Sequence, residues 1–143
     1  MRSLGQLGVV MVVISTIQVG CDKGGKRACP EGMRAASDKN ADPHTFLCAT
    51  GDRKRARWTE YYPDGSQRQS CGFSDGRPEG TFTAWHRNGQ LWIEGQYRQG
   101  VKVGRWNQLD EVGRKVAEAE YREGAFVAGA PVGLPAACER VKL

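Results

Sequence analysis

The chain has 143 residues, 26% of them charged and 8% aromatic, with a formal net charge of +5. That length accommodates one modest domain. The basic excess is mild and mixed in sign, and with no nucleic-acid-binding motif present it argues against a nucleic-acid partner.

Arg2 gives a short positive start, and an apolar stretch runs from Leu4 to Ile17. At about 14 residues it falls short of the roughly 20 that span a bilayer, and its layout is that of a secretory signal. Val19, Gly20 and Cys21 follow, and together they resemble the lipobox of bacterial lipoproteins, with Gln18 where that pattern usually has leucine. The resemblance implies that residues 1–20 are removed and that Cys21 becomes the lipid-bearing first residue. It would anchor the chain to a membrane of the bacterial envelope, facing the periplasm or the exterior. Ordinary secretion, with Cys21 in a disulfide or an apolar setting, is the alternative. Residues 21–28 are polar and glycine-containing, and read as a flexible tether.

Five cysteines in an exported chain leave one unpaired. With lipid on Cys21, the remaining Cys29, Cys48, Cys71 and Cys138 form an even set that can pair outside the cytosol. Cys29 with Cys48 is the expected bridge, because both flank a segment with little apolar content, and Cys71 with Cys138 is the remainder. Residues 29–56 show neither helical nor alternating periodicity, and are expected to be irregular and pinned by the first bridge. The cluster Arg53, Lys54, Arg55 and Arg57 reads as a charged edge that discourages strand-to-strand aggregation. A contact for anionic lipid headgroups is the sharper reading.

From 57 to 129 the sequence repeats with a period of 24 residues: aromatics at Trp58, Phe82 and Trp106, then at Phe73, Tyr97 and Tyr121, and glycines at Gly65, Gly89 and Gly113 and at Gly76, Gly100 and Gly124. A fixed period of this size marks a repeat architecture. The predicted fold is all-β, with about three β-hairpins in a meandering antiparallel sheet. Asp64-Gly65 and Asn88-Gly89 favour two-residue turns with positive φ at both positions. Val112-Gly113 fills the third slot, where a β-branched residue resists positive φ, so a longer or distorted loop is expected there. Ser74 to Gly80 and Arg98 to Gly104 read as longer links between hairpins. Residues 130–143, rich in Ala, Gly and Pro, would cap the last repeat or trail from it.

Counting outward from such turns fixes the register. Trp58 then faces Cys71, Phe82 faces Gly95, and Trp106 faces Ala119. Each large ring lies across from a small residue, the arrangement called aromatic rescue. Cys71 occupies the small-residue column, which leaves open a buried thiol as well as a bridge to Cys138. On the opposite face the same count pairs Tyr61 with Arg68, Trp85 with Trp92, and Leu109 with Val116. Left exposed, these residues would form an apolar stripe of the kind that marks interaction sites; a cover from the N-terminal segment or the tail is the other reading. Tyr61, Arg68, Trp85 and Trp92 are the candidate partner-binding residues.

Tyr61-Tyr62-Pro63-Asp64-Gly65, Gly76 through Gly80, Trp85-His86-Arg87-Asn88-Gly89 and Glu94-Gly95-Gln96-Tyr97 resemble the variant MORN repeats of bacterial proteins in the YwqK-type antitoxin family. The resemblance covers about half of the chain. It implies a sheet-forming scaffold that binds a protein or associates with a membrane, and its label implies a partner toxin. A lipid-anchored copy would fit better as an envelope scaffold or an immunity-type protein.

Nothing in the sequence assembles catalytic or cofactor chemistry. His86 occupies a repeat slot that holds Tyr62 and Asp110 elsewhere, and reads as a surface variation. His44 has only Asp38 and Asp42 nearby in sequence, without metal-ligand spacing. Glu60, Glu94, Glu118 and Glu120 read as solvated strand positions, and the glycines recur for turns rather than for phosphate. No enzyme activity, cofactor or metal is expected.

Overall fold

The computed structural model describes residues 27–37, 42–133, 135 and 138–141. The expected signal at 1–20 and the lipid-bearing Cys21 lie outside the described residues. Among the described residues, nine strands form one open sheet: β1 (Arg34–Ala36), β2 (Thr45–Ala49), β3 (Arg55–Tyr61), β4 (Gln67–Ser74), β5 (Arg77–Trp85), β6 (Leu91–Arg98), β7 (Val101–Leu109), β8 (Lys115–Arg122) and β9 (Ala125–Gly129). Each pairs antiparallel with its neighbours in the chain, in the order β1 to β9. A short 3-10 turn follows at Cys138–Arg140. The all-β meander expected from the sequence is present.

Residues 29–56 are not irregular as expected: they carry β1, β2 and the start of β3. These strands escape a periodicity reading because β1 has only three residues and none is β-branched or aromatic. Their place is set by packing. Leu47 and Ala49 pair with Trp58 and Ala56 and join the core beside them. The expected bridge joins Cys29 to Cys48, with a Cα–Cα distance of 5.5 Å. Closing that loop stabilises by about 3 kcal/mol in the chain-entropy model.

The turns differ in kind from the expectation. Asp64-Gly65 and Asn88-Gly89 are not two-residue turns. The Tyr62 N–H donates to the Ser66 carbonyl and the Gly65 N–H to the Tyr62 carbonyl. The same two bonds recur at His86, Gln90 and Gly89, and at Asp110, Arg114 and Gly113. Each is therefore a three-residue loop in which glycine alone is left-handed, with φ of 85°, 85° and 83° at Gly65, Gly89 and Gly113. Val112 sits at a position that needs no positive φ, so its loop is neither longer nor distorted. The two-residue turns lie at the other end of the strands, where longer links were expected. Asp75-Gly76, Gln99-Gly100 and Glu123-Gly124 have positive φ at both residues, closing the pairs Ser74–Arg77, Arg98–Val101 and Arg122–Ala125. The sheet therefore has a loop rim and a turn rim.

The inner register is as counted: Trp58 faces Cys71, Phe82 faces Gly95, and Trp106 faces Ala119. The outer pairs are not. Tyr61 faces Gln67, Trp85 faces Leu91, and Leu109 faces Lys115, because a bulge shifts the register by one residue in each hairpin. Arg68, Trp92 and Val116 are the unpaired bulge residues.

Trp58, Phe82, Ile93, Tyr97 and Trp106 lead one buried face. The Trp106 indole lies over Gly95, where any Cβ would collide with it. Removing that Cβ lets the ring reach Phe82, with centroids 5.4 Å apart and stacked, and Tyr97, at 5.1 Å edge to face. Such pairs contribute about 0.5–1.5 kcal/mol each beyond burial. The tail returns over this face: Val132 and Cys138 are buried in it, and the Gly133 N–H donates to the Gln108 side chain at 3.1 Å. Cys138 is disulfide-bonded to Cys71 across 67 residues, which resolves the two readings of Cys71 in favour of the bridge. Closure of that longer loop is worth about 4 kcal/mol in the same model. The other face is polar. Thr59, Ser70, Thr83, Glu94, Asn107 and Glu118 follow one another across six strands.

Candidate functional site

The loop rim is where the sheet gathers its most varied side chains, and the loops stack on one another through bonds that step 23 residues along the chain. The Tyr62 hydroxyl donates to the Trp85 carbonyl at 2.9 Å. One turn of the pattern later, His86 Nε2 lies 2.9 Å from the Leu109 carbonyl. A carbonyl can only accept, so Nε2 carries the proton in this bond. The Asn88 amide donates to the Glu111 carbonyl at 2.9 Å, and Arg87 pairs with Asp64 at 3.5 Å. His86 is thus half-buried and bridges two loops, rather than being a free surface variation; its ring also lies 5.6 Å from that of Trp92.

Within each loop a side chain completes the turn. Asp64 accepts from the Ser66 N–H and hydroxyl, and Asn88 accepts from the Gln90 N–H. Val112 stands in that slot in the third loop and has no acceptor. Asp110 replaces it from two residues back, accepting from the Val112 and Arg114 N–H groups and from the Arg114 guanidinium at 2.8 Å. Bonds from Ser66, its hydroxyl first, hold the Asp64 carboxyl below its ordinary value, and the Arg114 N–H does the same for Asp110.

The four candidate partner-binding residues all lie along this rim, but not as two facing couples. Tyr61 is half-buried, with the Arg27 guanidinium 4.8 Å above its ring. Arg68 is exposed and pairs with Glu60 at 3.2 Å. Trp85 is half-buried on β5. Trp92 occupies its bulge half-buried and packs against the core. A continuous stripe across paired strands is therefore absent; the bulges break it.

Arg53, Lys54, Arg55 and Arg57 are exposed at the opposite end, around the β2–β3 connection. Thr50 and Asp52 fold that loop: Asp52 accepts from the Thr50 hydroxyl at 2.6 Å and from the Lys54 N–H at 3.1 Å. Burial, with Glu139 beside it, pushes the Tyr97 phenol far above its ordinary value, and its hydroxyl donates to Glu139 at 3.4 Å. Among the described residues no three His, Cys, Asp or Glu side chains gather as metal ligands would.

Among the described residues the exposed large apolar side chains are Val101, Val112, Val116, Phe126 and Val127. Sequence reasoning placed Val116 in the outer stripe but missed the exposure of Phe126 and Val127, whose signal was the uncharged run Ala125-Phe126-Val127-Ala128-Gly129 directly after a turn dipeptide.

No family model matches the chain, and no curated protein does. Among solved structures, the pneumococcal O-GlcNAc transferase GtfA, in complex with UDP and GlcNAc, is similar over 62% of this chain and 18% of its own. That similarity is at 10% identity with a TM-score of 0.39. The chain thus spans under a fifth of that protein.

Proposed function

We propose that this chain is a lipid-anchored, non-enzymatic scaffold of the bacterial envelope that binds a protein partner through its loop rim, in an antitoxin- or immunity-like role. One observation carries the reading. Tyr61, Trp85 and Trp92 are half-buried and Arg68 is exposed along a single rim, and Trp, Tyr and Arg are the residues that dominate protein interfaces. The polar groups that could otherwise do chemistry there, His86, Tyr62 and Asn88, are engaged in stacking the loops. The resemblance to variant MORN repeats supports the same reading. Its test is crosslinking in the native envelope with Trp85 and Trp92 changed to alanine and folding verified. Partner recovery should fall sharply, and undiminished recovery removes the proposal. The anchor has its own readout: Cys21→Ser abolishes lipid labelling and releases the chain from the membrane fraction.

A second reading places binding on anionic lipid headgroups through Arg53, Lys54, Arg55 and Arg57. It is favoured by their exposure without an ion pair among the described residues. Retention on vesicles of anionic lipid, compared with the chain in which all four are serine, decides it; equal retention discards it.

A further inference from the structure

Arg27, the first described residue, sits at the loop rim. Its guanidinium lies 4.8 Å above the Tyr61 ring and donates to the Pro43 carbonyl at 3.1 Å. The Tyr61 N–H donates to the His44 carbonyl at 2.7 Å, and Tyr61 ends β3 at this rim. Two residues on from Arg27, Cys29 is bridged to Cys48 of β2, which fixes this entry of the chain against the sheet. Cys21 lies six residues before Arg27. A chain advances at most about 3.6 Å per residue, so a lipid on Cys21 keeps Arg27, and Tyr61 beneath it, within about 20 Å of the bilayer surface. Trp85 on β5 is two strands from Tyr61, about 10 Å at the usual strand spacing. The opposite rim is a strand length away: β3 runs seven residues from Arg55 to Tyr61, about 20 Å at 3.3 Å per residue.

We propose that the loop rim faces the bilayer holding the anchor, and that its partner is an integral membrane protein meeting it with a short exposed loop. The proposal rests on the anchored, rim-binding reading above. Size decides the class of partner. A separate domain of 100 residues has a radius of gyration of about 13 Å and so spans roughly 30 Å or more, which a gap of about 20 Å does not admit. A loop between membrane spans fits there. The composition of the two rims agrees. Tyr61, Tyr62, Trp85 and Trp92 gather at the loop rim, whereas the opposite rim reverses through Asp75-Gly76, Gln99-Gly100 and Glu123-Gly124. Tyrosine and tryptophan, each with an apolar body and a polar tip, are enriched where protein meets a membrane surface. Arg53, Lys54, Arg55 and Arg57 are then carried away from the anchoring bilayer, so the arrangement stands with the first reading and against the second.

The test uses the full chain held in vesicles by its lipid. A fluorophore goes on Gln67→Cys or Glu111→Cys at the loop rim, and on Lys54→Cys or Arg77→Cys at the opposite rim, with an acceptor dye on the lipid headgroups. Mapping Cys29–Cys48 and Cys71–Cys138 in each sample checks that the fold is intact. Energy transfer should place the loop-rim labels nearer the bilayer by about 20 Å, one strand length. Equal transfer from both rims, as a sheet lying flat would give, or stronger transfer from the opposite rim overturns the proposal. Cys21→Ser should remove transfer at all four positions; transfer that persists sinks the anchor reading, and the proposal with it. In the native envelope, the partner is linked from Gln67→Cys by a cleavable crosslinker and the link is then cut. It should remain in the membrane through an alkaline wash. Release into the wash overturns the proposal and leaves rim binding standing, whereas the absence of any crosslinked product overturns both.

Discussion

Along the loop rim the chain reverses through three residues with only a glycine in the left-handed region. Along the turn rim it reverses through two, and both are left-handed. The glycine dipeptides look alike in the two places. What separates them is the third residue and what the side chains do afterwards. Loop-rim side chains reach across to the next loop, so each reversal supports its neighbour. At the turn rim the reach is made mainly by backbone: the Gly100 and Gly124 N–H groups donate to the Pro78 and Lys102 carbonyls of β5 and β7, with Glu79 accepting from the Gln99 N–H at 2.6 Å. A glycine dipeptide therefore marks where a strand ends, while the surrounding polar residues decide the kind of reversal.

The largest effect that would sharpen this contrast comes from His86→Ala. It removes the bond to the Leu109 carbonyl and the packing on Trp92, and should cost about 2 kcal/mol by urea unfolding. A loss no larger than that of an ordinary surface substitution would mean the loops do not support one another. Gly89→Ala forces an L-residue into the left-handed region and should cost about 1–2 kcal/mol. Asn88→Gly separates the turn types most directly. A two-residue turn would tolerate it, whereas the three-residue loop loses the bonds to Gln90 and Glu111, for a cost of about 1 kcal/mol. At the turn rim the sign inverts: Gln99→Gly relieves a left-handed side chain at φ 49° and should stabilise by about 0.5–1 kcal/mol.

Acid gives the smallest and most local difference. Asp64 and Asp110 have carboxyls held below the ordinary 3.8. Their stabilisation is complete above that value and is lost as pH falls through the lower folded one. Amide exchange at Ser66, Val112 and Arg114 should therefore accelerate below about pH 4. The Gly100 N–H, bonded to the Pro78 carbonyl, should stay protected, because a carbonyl acceptor does not titrate. Uniform loss of protection at both rims would erase the distinction.

Much of the sheet was legible in the residues, partly for a reason the residues hid. Counting from a two-residue turn placed Trp58 on Cys71, Phe82 on Gly95 and Trp106 on Ala119, and those pairs are present. The turn assumed was wrong. Each actual loop holds one residue more, and the bulge at Arg68, Trp92 or Val116 offsets it, so the register recovers beyond the bulge. Only pairs between loop and bulge differ, and Tyr61, Arg68, Trp85 and Trp92 all lie in that stretch. β1 and β2 were missed because Arg34-Ala35-Ala36 and Thr45–Ala49 are placed by their neighbours rather than by their own pattern. The loop-to-loop bonds of Tyr62 and His86 depend on stacking that no single hairpin contains, and a reading of one repeat at a time could not find them.

Because every strand pairs with the strand beside it in the chain, the sheet itself requires only short loop closures, a topology of low contact order that favours fast assembly. The exception is the tail, whose Cys138 must find Cys71 across 67 residues. Cys138 is also synthesised well after Cys71 and the strands between them. The bridge therefore acts as a late latch, closing over an aromatic face that has already been laid down, and only where oxidants are available.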